Sequence, residues 1–186
     1  KLGIIYSITL CFLALLVLLN FNFFTIILAL GSMPLAFTYP LMKRFTYWPQ
    51  LFLGITFNYG LILGWTSIKG QIDLIPLVFY FGAIFWTLGY DTIYGYQDIK
   101  DDEIIGLKST SIKFKKQPYT FLFSCYSIYL LSLFFIVYLM KLNYFSIIIF
   151  VFATFQMYFF QLKKLKINDP SSCIKTFKSN NFLGLI

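Results

Sequence analysis

Residues 74–103 read LIPLVFYFGAIFWTLGYDTIYGYQDIKDDE. The run 74–95 is apolar and close to the ~20 residues that a helix needs to cross the hydrocarbon of a bilayer. The end of the stretch is the opposite in character: five of the chain's seven acidic residues lie between Asp91 and Glu103. Further apolar runs occupy 2–21, 22–41, 49–66, 119–140 and 143–161, and a seventh begins near 173 and continues to Ile186. The whole chain is 59% hydrophobic, 22% aromatic and 12% charged, whereas a soluble domain is about half apolar and a quarter charged. The runs carry no polar alternation of the β-barrel kind, so helices are the spanning element. The expected fold is all-α, a polytopic transmembrane helix bundle of seven spans in one domain, 1–186. The chain opens on Lys1 rather than Met and closes inside an apolar run, which reads as a fragment of a longer protein. No cleavable signal peptide is recognisable.

The net charge of +8 does not point to nucleic acid, because the basic residues sit between the apolar runs. The second, fourth and sixth connections carry two (Lys43, Arg44), five (Lys100, Lys108, Lys113, Lys115, Lys116) and three (Lys163, Lys164, Lys166) basic residues. The first, third and fifth carry none, one and one. This alternation predicts an up-down bundle with the heavy connections in the cytoplasm. Cys11, Cys125 and Cys173 form no CxxC pair and read as small apolar residues. The chain has no histidine, which removes His-ligated metals and His general bases.

If the fourth span continues as a helix to Asp102, then Asp91, Asp98 and Asp102 share one narrow stripe with Tyr94 and Gly95. Adjacent carboxylates repel, and negative charge is unfavourable at a helix C-terminus. Two compensating cations fit: the nearby Lys100 and Lys108, or a divalent metal. Carboxylates without His or Cys select a hard ion such as Mg²⁺, which keeps waters and leans on a substrate phosphate. Asp101 and Glu103 read as solvated bystanders, while an intramembrane carboxylate such as Asp91 points to function. Lys43 and Arg44, in the segment Tyr39–Gln50, read equally as topogenic charges or as the basic half of a diphosphate grip.

These segments carry a resemblance. YDTIYGYQDIKDDEIIGLKSTSIKF (90–114) resembles the second aspartate-rich motif of the UbiA-type intramembrane prenyltransferases. YPLMKRFTYWPQLFLG (39–54) resembles a segment of that family's 4-hydroxybenzoate polyprenyltransferase branch, and 177–184 its last helix. The resemblance implies a nine-helix bundle of which this chain supplies the third to eighth helices and the start of the ninth. It implies transfer of a polyprenyl group from polyprenyl diphosphate to the ring of 4-hydroxybenzoate in ubiquinone biosynthesis, with Mg²⁺. Asp98 and Asp102 match the metal-binding pair, and Asp91 matches the acidic residue near the reaction centre. Lys43, Arg44 and Lys108 would contact the diphosphate, and Tyr39 and Tyr94 the aromatic-acceptor side. The family's first aspartate motif has no counterpart in 1–186, so the fragment alone is expected to be inactive. The implied setting is the lipid bilayer of a bacterial or mitochondrial inner membrane, with the active site facing the cytoplasm or matrix. Other readings remain: another aromatic acceptor, a non-catalytic remnant, or a proton-coupled transporter using Asp91.

Overall fold

The structure is a computed structural model that describes residues 2–184. Helix α1 spans Leu2–Leu18 and α2 Phe23–Thr38, followed by a 3₁₀ turn at Tyr39–Leu41. Then come α3 (Met42–Phe45), α4 (Pro49–Phe57), α5 (Gly60–Lys69), α6 (Leu74–Gln97), α7 (Ile99–Ile105) and α8 (Thr110–Lys113). Helix α9 is Pro118–Leu139, α10 is Tyr144–Phe155 and runs into a π-helical segment Gln156–Leu162, and α11 is Pro170–Leu183. No strand occurs among the described residues.

Five helical stretches are long and apolar enough to cross a membrane: Phe23–Phe45, Pro49–Lys69, Leu74–Gln97, Pro118–Leu139 and Tyr144–Leu162. Seven were expected. Helix α1 is apolar but has 17 residues. Helix α11 has 14 described residues and carries Lys175, Lys178, Asn180 and Asn181, a more polar composition than the five. The expected continuation of the seventh run through Leu185 and Ile186, and the opening Lys1, lie outside the described residues.

Helix α6 is the axis of the bundle, with α9, α11 and α4 packed around it. Its inner face, with Leu88, Ile93 and Tyr96, meets Leu122, Cys125, Tyr126 and Tyr129 of α9 to form the core. A side chain at Gly89 would meet the Tyr126 ring at 2.6 Å, so the two helices approach at a distance that only glycine permits. Close contact through small residues is how helices associate in lipid, where apolar area alone gives no preference. The outer faces of α1, α2, α9 and α10 expose large apolar side chains such as Ile4, Phe12, Phe37, Leu131 and Ile148, as helices facing hydrocarbon do.

Polar side chains pin the ends and the middle. Asn58, where α4 gives way to α5, donates its amide to the Gly54 and Ala83 carbonyls and to Thr87 Oγ1 (2.8, 3.2 and 2.8 Å). At one end of the bundle, Asn22 in the first connection donates to the Thr66 carbonyl beside the third (2.8 Å). At the other end, Lys108 N–H donates to the Lys43 carbonyl (2.8 Å), and Tyr119 hydroxyl to that of Leu165 (2.9 Å). The three basic connections thus meet at one end of the molecule.

One expectation is corrected here. Helix α6 does not run on to Asp102: it stops at Gln97, Asp98 takes φ −102° and ψ 8°, and α7 starts anew at Ile99. Electrostatics gives the reason. A continuous helix would gather carboxylates at its negative end; the break moves Asp101 and Asp102 into the first turn of α7, where the helix dipole favours them.

Candidate active site

The site is built where the second and fourth connections meet. The turn Tyr39–Leu41 and α3 present Lys43 and Arg44 at the end of α2. Across from them, α7 ends at Gly106, whose φ of 79° lies in the left-handed region that suits glycine. The chain then turns back, and Leu107 N–H donates to the Asp102 carbonyl (2.9 Å). Lys108 meets the other connection twice, through its N–H to the Lys43 carbonyl and through Nζ to the Phe45 carbonyl (3.3 Å). Its Nζ also stands 5.6 Å from the centre of the Tyr47 ring.

Ser109, Thr110 and Ser111 are fully buried, and each of their hydroxyls has a partner, that of Ser109 accepting the Ile112 N–H (3.3 Å). Gln50 Oε1 accepts the Thr110 N–H (3.0 Å), Thr110 and Thr92 share a hydroxyl hydrogen bond (2.6 Å), and Ser111 Oγ donates to the Thr92 carbonyl (2.9 Å). A Cβ at Gly95 would overlap Ser111 Oγ, so glycine there lets this turn lie flat on α6. Gln50, Thr92, Thr110 and Ser111 escaped the sequence reading. Their signal was a run of small hydroxylated residues after a basic loop, with a buried glutamine at a helix start.

The predicted site residues fall into two groups. The first surrounds Asp102, which is buried and whose Oδ2 lies 4.0 Å from Lys43 Nζ. Lys108 is close by through its bonds to the same connection. Arg44 is exposed and makes no ion pair among the described residues. Asp98, at the helix break, accepts the Gln97 amide (3.1 Å). Asp101 is exposed, and Glu103 pairs with Lys115 (2.8 Å), so neither turns inward.

The second group lines a cavity of about 750 Å³ between the 3₁₀ turn Tyr39–Leu41, α4, α6 and α11. Asp91 and Tyr39 are on its wall, with Leu53, Phe57, Trp86, Tyr90, Phe177 and Asn180. Tyr94, expected on this side, is not among the lining residues. It is exposed and packs its ring on Phe177, with centroids 4.9 Å apart. Trp86, Tyr90, Phe177 and Asn180 were not predicted; an Asn pair within a mostly apolar run was the only sign. The cavity is aromatic on several sides, with one carboxylate inside it.

No group of three or more potential metal-ligating side chains occurs among the described residues. Asp98 lies at the α6–α7 break and Asp102 four residues on, in the first turn of α7, and both are oxygen donors. That donor set suits a hard, partly hydrated ion completed by a phosphate, and does not suit a metal held by protein alone.

The UbiA prenyltransferase family model matches residues 1–186. The chain belongs to the UbiA prenyltransferase family. It is 46% identical over 177 residues to the mitochondrial 4-hydroxybenzoate polyprenyltransferase of Bos taurus, covering 94% of this chain and 47% of that protein. The counterpart from Homo sapiens is 46% identical over 179 residues, with the same two coverages. The chain therefore spans about half the length of these curated relatives. Among solved structures, the apo structure of a UbiA homolog from Aeropyrum pernix K1 shares the fold, with a TM-score of 0.63 at 18% identity. That match covers 91% of this chain and 67% of the other. As a UbiA-family chain it is an integral membrane protein, in keeping with its apolar helices.

Proposed function

We propose that the protein transfers a polyprenyl group from polyprenyl diphosphate to the ring of 4-hydroxybenzoate, a step of ubiquinone biosynthesis. The observation that carries this reading is the pairing of Lys43 with buried Asp102. It puts a cation from one connection against a carboxylate from another, on a loop that also holds Lys108. Basic groups and carboxylates on facing connections suit a diphosphate gripped from two sides: ammonium and guanidinium groups directly, carboxylates through a metal.

In this reading Asp98 and Asp102 hold Mg²⁺. The bound ion supplies positive charge that stabilises the leaving diphosphate. Lys43, Arg44 and Lys108 bind the diphosphate oxygens and stabilise the charge that builds there. The flat acceptor ring lies in the aromatic cavity, with Tyr39 on its wall. Asp91 accepts a hydrogen bond from the phenol and raises electron density at the ring carbon ortho to it. A bond forms between that carbon and the allylic carbon, the allylic C–O bond breaks with its electrons going to diphosphate, and the ring proton passes to an oxygen of the released diphosphate. Aromatic faces around the cavity favour the cationic character of the allylic carbon. The end bearing the three basic connections faces the matrix or the cytoplasm of an inner membrane, in line with the positive-inside rule.

The test uses full-length protein in membranes with polyprenyl diphosphate, 4-hydroxybenzoate and Mg²⁺. Prenylated 4-hydroxybenzoate is expected, and it is lost on chelation and in Asp98→Ala. Product formation undiminished without divalent metal overturns the metal assignment; no product with this acceptor overturns the substrate assignment.

A further inference from the structure

Trp86 and Asn180 both line the cavity that contains Asp91, and a chain of hydrogen bonds stands behind them. Trp86 Nε1 donates to Asn180 Oδ1 (3.0 Å), and Gln161 Nε2 donates to the same oxygen (3.1 Å) and to Ser179 Oγ (3.1 Å). Asn180 Nδ2 faces the other way, toward the Phe177 and Thr176 carbonyls (3.1 and 3.4 Å).

The orientation of each amide follows from the indole. Tryptophan can only donate, so Asn180 must turn its oxygen to Trp86. Gln161 faces the same oxygen, so it must present its nitrogen, since two amide oxygens there would repel. The consequence is visible: Gln161 is fully buried, yet its Oε1 has no partner. A buried carbonyl oxygen left unsatisfied is costly and calls for an explanation. Gln161 also lies in the π-helical segment Gln156–Leu162, and π-helical turns are rare and frequent at functional sites. Two separate local costs thus coincide at the residue that orients Asn180. The indole is fixed on its face as well, stacked on Tyr129 (5.4 Å, 14° between planes) with Tyr90 edge-on (5.4 Å, 75°).

We propose that Gln161 and Asn180 are positioning residues that hold the Trp86 indole as a fixed wall for the aromatic acceptor. The proposal rests on reading this cavity as the seat of the acceptor ring. Trp86 sets how well a flat ring binds beside Asp91, and Gln161, which is not on the cavity wall, acts only through Asn180 and Trp86.

The experiment uses full-length protein in membranes. Asn180→Ala and Gln161→Ala each raise the KM for 4-hydroxybenzoate about tenfold, the scale of one lost pocket contact, and leave the KM for polyprenyl diphosphate unchanged. Trp86→Phe raises the acceptor KM to a similar extent, and adding Gln161→Ala to it has no further effect, as for residues that act through one group. A spectroscopic arm is independent of turnover. With every other tryptophan of the full-length protein changed to phenylalanine, Trp48 and Trp65 among them, Trp86 is the one emitter left, and Asn180→Ala lowers its fluorescence anisotropy. Additive effects of Gln161→Ala and Trp86→Phe, equal rises in both KM values, or unchanged anisotropy overturn the proposal. Wild-type protein that makes no product removes the acceptor reading, while the anisotropy arm still decides whether the amides hold the indole.

Discussion

Lys43 is half exposed while its partner Asp102 is buried, and 4.0 Å separates their charged atoms. A pair with one solvated member contributes little to stability, about 0–1 kcal/mol. Lys43→Ala is therefore expected to move the melting temperature in detergent by only a few degrees. The same change should lower kcat/KM for the polyprenyl diphosphate by about tenfold or more, as loss of one charge-stabilising contact does. Equal damage to stability and activity would mark Lys43 as a structural residue. Asp169 makes a different test. It caps the start of α11, accepting from the Ser171 hydroxyl (2.7 Å) and backbone N–H (3.0 Å). The Ser171 hydroxyl, aided by that N–H, holds the Asp169 carboxyl below its ordinary value. Its stabilisation is then complete above the unfolded-state carboxylate range and disappears as pH falls through the lower folded value. Melting temperature followed against pH should show this acid-side loss in the wild type and a flatter profile in Asp169→Ala. At this scale the charged residues were legible in the sequence, because carboxylates and lysines stand out in an apolar chain. Gln50, Asn180 and Gln161 were not, since a neutral amide shows its worth only through the partner that folding brings to it.

The seam between α6 and α9 depends on Gly89, where an added Cβ would come within 2.6 Å of the Tyr126 ring and 3.4 Å of Cys125. Gly89→Ala is expected to destabilise by about 1–3 kcal/mol, the usual cost of overpacking. Gly31→Ala, in α2 with open space around the added carbon, should be neutral or stabilising by up to about 1 kcal/mol. Thermal denaturation of the two variants side by side checks both, and similar behaviour would mean that the seam is not tightly packed. The long helices were readable from apolar run length, because hydrocarbon thickness fixes what a span requires. The break at Asp98 was not readable. It trades helix continuity for a better placement of Asp101 and Asp102, and hydrophobic periodicity carries no record of that exchange.

The whole molecule gathers its basic connections at one end and ties Asn22 to the Thr66 carbonyl at the other. A single cysteine introduced at Lys166, in a background from which every native cysteine, Cys11, Cys125 and Cys173 among them, has been removed, should react with an impermeant thiol reagent from the matrix or cytoplasmic side. One introduced at Asn22 should react from the opposite side, and labelling of both from one side would contradict the up-down arrangement. Alternating loop charge made this arrangement legible. The number of spans was less so, because an apolar run does not reveal the polar residues a helix will use: α11 carries Lys175 and Lys178 and buries Asn180. The aromatic cavity is a property of the assembled bundle, drawing on residues from Tyr39 to Gly184, and no local pattern announces it. The most direct test of the function is prenyl transfer by the full-length protein in membranes, comparing wild type with Asp102→Asn at saturating Mg²⁺. The account predicts prenylated 4-hydroxybenzoate from the wild type and a fall in kcat of about 100-fold in the variant. Wild-type protein without product, or a variant as active as the wild type, would contradict it.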